Sequence, residues 1–384
     1  MKSILIITFA MLGLVSTCSR KKISTEDRQA IETKVDEKKD KAQDSPMANT
    51  DDMLHYPEEK HLKNVRQLTF GGENAEAYFS FDGTRLVFQR SHKEEGIECD
   101  QIYVGKIPAS PEEEFTYNRV SNGFGRTTCS YFLEGDERII YASTHAGDEK
   151  CPVLPDRSKI GKYVWPIYNT YDLYVANEDG SNIQALTKNN FYDAEATVSP
   201  DGKKVVYTSN KSGDLELYVI NMENKTEKQV TNQLGYDGGA FFSPDSKSLV
   251  FRASRPEGRE AILEYKNLLR DGLVAPTDME LFVCDIDGKN LRQVTDLGKA
   301  NWAPFYHPSG EKIIFSSNHE SEIGFPFNLY MINVDGTGLE KISHSDTFDS
   351  FPMFSPDGTK LVFGSNRNNG GTRDTNMFIA DWVE

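Results

Sequence analysis

The chain has 384 residues, 38% hydrophobic and 27% charged, with 43 basic against 59 acidic side chains, five cysteines and a net charge of −16. An acidic surface repels phosphate backbones, so nucleic acid is not an expected partner. A repeat array that runs from residue 65 to the end leaves no room for a second globular domain.

In chain order, residues 1–17 carry a single Lys, an apolar run from Ile4 to Val15 and small residues ahead of Cys18. This reads as a secretion signal peptide, too short to span a bilayer as a mature helix. VSTC at 15–18 resembles the lipobox of bacterial lipoproteins, which implies lipidation of Cys18, although Thr17 departs from the usual Gly, Ala or Ser. Residues 18–64 are then the lipidated Cys and a disordered tether. They are rich in Lys, Glu, Asp, Gln and Ser with no aromatic before Tyr56, a composition that cannot bury a core.

From residue 65 one unit recurs. Turn tetrads start at Ser80, Leu133, Ser199, Ser243, His307 and Ser355, and four of them keep a Ser-x-Asp pattern. Each is followed by an alternating strand (LVFQRS, IIYAST, VVYTSN, LVFRAS, IIFSSN, LVFGSN), then by a third strand such as DLYVANE or NLYMINV. A short fourth follows, of the type QALT or KQVT. Period-two alternation beside Pro/Asp/Gly turns is the hairpin signal. Six copies of four strands predict an all-β fold, a six-bladed β-propeller. The chain enters on a fourth-type strand and leaves on a third-type strand, so 66–70 is expected to pair with 376–383 and close the ring.

Two repeats carry long insertions after their second strands. The segment 145–171 is rich in Pro and aromatics and is expected to be an ordered, non-regular loop. The segment 255–278 is expected to hold a helix from Glu257 to Leu269, with Ala261, Ile262, Tyr265, Leu268 and Leu269 on one apolar face, stopped by Gly272 and Pro276. Loops between second and third strands leave a propeller on one side, so both insertions should rise from the same face, flanking the third blade. Export places Cys99, Cys129, Cys151 and Cys284 in an oxidising compartment. Cys284 alternates within LFVCDI as a buried thiol, and the expected disulfide is Cys129–Cys151, with Cys99–Cys129 as the alternative.

Aligning the copies brings His92, His145, Lys211, Arg255, His319 and Arg367 into one column after the second strands. A second column, Asn74, Thr127, Asp193, Asp237, Asn301 and Asp349, begins the innermost strands. Two readings are open: cations that stitch neighbouring strands, or a ring of donors at the channel mouth that holds an anionic sugar, a carboxylate or a phosphate. Tyr163 and Trp165 in the first insertion are candidates for stacking on a ligand. There is no G-x-S-x-G, H-E-x-x-H or Walker loop, so no catalytic residue, metal site or cofactor is assigned.

The repeats QALT…TVSPDGKKVVYTSNK, KQVT…FFSPDSKSLVFRAS and EKIS…MFSPDGTKLVFGSNR resemble the propeller repeat of the TolB family of envelope proteins. The resemblance covers about residues 65–384 and omits the α/β domain that precedes the TolB propeller. It implies a protein-binding propeller. The expected function is therefore a lipid-anchored, periplasm-facing cell-envelope module, monomeric, that binds a partner protein or a glycan through the insertion face. The alternative is a glycan-acting lyase or hydrolase with His145, His319 and Arg255 at the channel mouth.

Overall fold

The structure, a computed structural model, describes residues 54–384. The signal segment, Cys18 and most of the expected tether lie outside the described residues.

Local chemistry explains why the repeat folds as it does. In SPDG-type turns the Ser hydroxyl donates to the Asp two residues on, at 2.6 Å for Ser199–Asp201 and Ser355–Asp357. The same oxygen accepts the backbone N–H five residues on, at 2.9 Å from Lys204 and Lys360. One side chain thus closes the hairpin between first and second strands. The second strands that follow are buried on both faces: Leu86, Val87 and Phe88 are fully enclosed, as are Leu361, Val362 and Phe363. They form the core layer between blades, where apolar burial supplies most of the stabilisation.

Six four-stranded antiparallel sheets result. Their innermost strands are Glu73–Phe79, Thr127–Phe132, Asp193–Val198, Asp237–Phe242, Asn301–Tyr306 and Asp349–Phe354, in blades one to six. In blade six the outermost strand, Leu62–Gln67, comes from the start of the described chain and pairs with Asn376–Trp382 from its end, with Arg66 opposite Ile379. This is the expected latch, begun four residues earlier because Leu62 and Val65 are buried with Trp382 and Phe378. Leu68 N–H continues the pairing to Met377 O at 2.8 Å.

The boundary at 64 needs correction, because the residues before the latch are built into the propeller. Glu59 is fully buried and takes two hydrogen bonds from Arg367, at 3.1 and 2.9 Å, and Arg367 also donates to Asp349 at 2.8 Å. Leu54 O accepts from the same guanidinium at 2.9 Å. A buried guanidinium with two carboxylates is tolerable only when all three are hydrogen-bonded, and here they are.

The insertions leave one face, as expected, and pair with each other: Leu273–Val274 forms a two-stranded sheet with Trp165–Pro166. The second insertion holds a helix, Gly258–Arg270, that buries Tyr265, part-buries Ile262, Leu268 and Leu269, and leaves Ala261 exposed. Tyr265 Oη donates to Asp214 and docks the helix on blade three. The first insertion is largely irregular, with a four-residue helix at Arg157–Ile160. The disulfide is Cys99–Cys151, with Cα atoms 5.8 Å apart, in place of the expected Cys129–Cys151. Gly125 N–H donates to Glu149 O at 3.0 Å, which holds the base of the insertion beside Cys99, whereas Cys129 faces the channel and is free. Cys284 is buried, as expected. No helix among the described residues is long and apolar enough to cross a membrane.

Candidate functional site

Every innermost strand contains a bulge, seen as a register shift after its second residue, or after its third, Ala75, in blade one. One residue per blade sits there in the left-handed region: Glu76 (φ 53°), Cys129 (43°), Glu195 (60°), Gly239 (59°), Ala303 (49°) and Phe351 (56°). Non-glycine residues seldom adopt this conformation, and bulges that re-aim side chains cluster at functional sites. All six line a single cup at the insertion-face end of the channel, with a volume of about 740 Å³, a size suited to a small ligand or a peptide side chain.

Aromatic rings close the floor: Tyr78 lies 5.5 Å from Tyr131 and from Phe241, and Phe241 lies 5.2 Å from Phe305. The walls include Tyr163 and Trp165 from the first insertion, Thr277 from the second and Ile323–Phe325 from blade five. Trp165 and Trp302 are 5.3 Å apart, and Trp302 Nε1 donates to Pro276 O at 2.8 Å, so the two insertions hold one aromatic wall together.

Charge inside the wall is arranged in pairs. Arg252 donates to Glu195 at 2.9 Å and to Tyr236 Oη at 2.7 Å, and its guanidinium lies 5.2 Å from the Trp165 ring. Glu195 also accepts Gly239 N–H at 2.7 Å and Thr208 Oγ1 at 3.0 Å. Glycine is required at 239, since a Cβ there would collide with Arg252 Nη1. Arg126 pairs with Asp100. Glu76 stands apart: burial, with the Glu195 charge adding to it, pushes its carboxyl up to about 7 against the opposing Cys129 hydrogen bond, and Oε2 has no partner.

The six-cation column lies elsewhere; none of His92, His145, Lys211, Arg255, His319 or Arg367 lines the cup. Most of these side chains rest on an aromatic of the third strand. Lys211 is 3.8 Å from the Tyr218 ring, Arg255 is 4.8 Å from Phe282 and Arg367 is 5.9 Å from Phe378. The His145 ring is 4.1 Å from Tyr174 and that of His319 is 4.6 Å from Tyr330. In blade one Arg90 covers Tyr103, and His92 instead faces Glu95 at 3.5 Å. Only Arg255–Asp237 and Arg367–Asp349 join the cation column to the Asp/Asn column. His145 and His319 each meet the Ser two residues back, at 2.8 and 2.9 Å, and burial lowers the basicity of both. Two of the six cations thus make the expected stitch to the innermost strand and most of the rest cover aromatic rings, and none of the three residues of the lyase alternative lines the cup. Among the described residues no three His, Cys, Asp or Glu side chains are grouped as a metal site requires. Of the expected ligand contacts, Tyr163 and Trp165 do line the cup. The left-handed ring, Arg252 and Trp302 were not singled out from sequence.

Fold and site define a six-bladed propeller, latched through its termini, with a floored cup on the face that carries the insertions. Residues 273–374 match the TolB beta propeller domain family. A protein assigned as TolB from Agrobacterium tumefaciens superposes with a TM-score of 0.51 at 17% identity, over 82% of this chain and 91% of that one. Hydrazine synthase of Kuenenia stuttgartiensis gives 0.52 at 12%, over 74% and 42%. TolB from Acinetobacter baumannii gives 0.47 at 15%, over 82% and 64%. Comparison with curated proteins finds no match. The chain is a TolB-like six-bladed β-propeller.

Proposed function

We propose that this chain is an exported, lipid-anchored cell-envelope module that binds a partner protein across its insertion face. One observation carries the reading. Of the large apolar side chains exposed among the described residues, Phe70, Phe124, Val153, Leu154, Tyr163, Phe191, Ile323 and Phe325 stand on loops of that face and Leu263 on its insertion helix. Only Leu339 and Val383 stand on the other. Apolar surface gathered on one side and rimmed by polar loops is the mark of a docking surface. The TolB-like repeat and the apolar segment ahead of Cys18 support an envelope setting.

The test is capture of partners from native membranes by wild-type protein, by Ile323→Ser/Phe325→Ser and by a variant with 255–278 shortened to a tight turn. Partners held by the wild type and lost by both variants support the reading. Identical capture by all three overturns it. Cys18→Ala should move the protein from the membrane to the soluble fraction and abolish the mass added by acylation.

A further inference from the structure

The polar atoms of the cup are not all satisfied by the protein, and those left over point to the kind of group that fills it. Arg252, 8% exposed, balances its charge on Glu195, and Arg126 balances its own on Asp100. Arg157 lies 4.3 Å from the Tyr163 ring. On the first inner strand Glu73 and Glu76 both line the cup, and neither forms an ion pair with any described residue. The enclosed Oε2 of Glu76 has no hydrogen-bond partner.

The cup therefore asks for a positive charge at one wall and for apolar cover at another. An anion, the ligand that a ring of cations would favour, would meet two uncompensated carboxyls and no uncompensated cation except Arg157. A small amine would leave the tryptophan wall uncovered. A basic side chain carried on a peptide answers both. Its ammonium or guanidinium meets the carboxylates, and its aliphatic stem lies against the Trp165 and Trp302 wall.

We infer that the cup receives a lysine or arginine side chain of the partner protein, with Glu73 and Glu76 as counter-ions and the paired tryptophans as the wall. This rests on the protein-binding reading and goes further in naming the anchor. Binding is coupled to ionisation of Glu76, which faces Cys129 from blade two, Glu195 from blade three, Arg252 from blade four and Asp100 from its own blade. A bound cation favours the carboxylate, so affinity rises as pH rises.

The probes are N-acetyl-lysine methylamide, N-acetyl-glutamate methylamide and n-butylamine, titrated into the mature protein and read by tryptophan fluorescence and calorimetry. The lysine amide should bind, with butylamine weaker and the glutamate amide weakest. Its affinity should be about tenfold higher at about pH 8 than at about pH 6. Glu76→Gln should weaken it about tenfold and remove the pH dependence, and Glu73→Gln, on an exposed side chain, should weaken it severalfold with the fold intact. Equal or tighter binding of the glutamate amide, unchanged affinity in both variants, or no saturation below about 100 mM would overturn the inference. Partner capture separates the two readings. Loss with Ile323→Ser/Phe325→Ser but not with Glu76→Gln keeps the docking face and removes the cup from it.

Discussion

The two faces of the ring are built on opposite plans. On the face away from the insertions, Ser80, Ser199, Ser243 and Ser355 make the same hydrogen bond to an Asp two residues on, and the outer turns repeat Asp–Ser or Asp–Thr pairs such as Asp179–Ser181 and Asp335–Thr337. On the insertion face the loops differ in length and in what they carry, and the left-handed ring is occupied by Glu, Cys, Glu, Gly, Ala and Phe. Uniformity belongs to the scaffold, and departure from the repeat marks where recognition is built.

That contrast can be broken or sharpened by substitution. The largest effect is expected at Arg367, an insertion-face residue whose work is structural. Arg367→Met leaves Glu59 and Asp349 buried without a cation, and should cost about 3–5 kcal/mol in denaturant unfolding. Next, Cys151→Ser opens the bond that ties the first insertion to blade one across a separation of 52 residues. A loss of about 2–4 kcal/mol is expected, together with faster proteolysis of 145–171.

Glu76 should give the protein a pH-dependent stability. Its carboxyl is raised from 4.5 to about 7, so between those values the folded state binds the proton more tightly than the unfolded chain. Stability then falls as pH climbs through that window, by about 2–3 kcal/mol, and levels off above it. Thermal melts across the range should show the slope, and Glu76→Gln should flatten it. On the opposite face, Ser199→Ala removes one turn hydroxyl and should cost about 1 kcal/mol while partner capture stays intact. Smallest of all is the stability change for Ile323→Ser/Phe325→Ser, within about 0.5 kcal/mol, although these residues should matter most for capture. Were Ser199→Ala to impair capture, or the Ile323/Phe325 pair to unfold the protein, the division between faces would fail.

Much of the scaffold was legible because it repeats. The tetrads, the second strands, the split blade and the shared direction of the insertions follow from aligning six copies. The cup did not follow, for a definite reason. Its ring positions share a backbone conformation and not a residue type, and alignment by chemistry cannot register a common φ. The signal was present two residues beyond the Asp/Asn column, at Glu76, Cys129, Glu195, Gly239, Ala303 and Phe351, as a channel-facing position occupied by a charged, small or aromatic residue according to the blade. The cation column was conspicuous for the opposite reason, because each blade needs a cover for a third-strand ring such as Tyr218 or Phe282. The start of the folded part was misplaced because Glu59 looks solvated by composition, and only the distant Arg367 makes its burial tolerable.

Blade six cannot exist until both ends of the chain are available. Leu62–Gln67 is made early in synthesis and must wait for Asn376–Trp382, as Glu59 must wait for Arg367, 308 residues downstream. Closing so large a loop is slow. During that wait five blades can assemble into an open arc with an unpaired border at either side, a shape prone to join its neighbours. The final turn of a nascent molecule is thus its most hazardous, and a cell that makes this protein has reason to keep the arc solitary until it shuts.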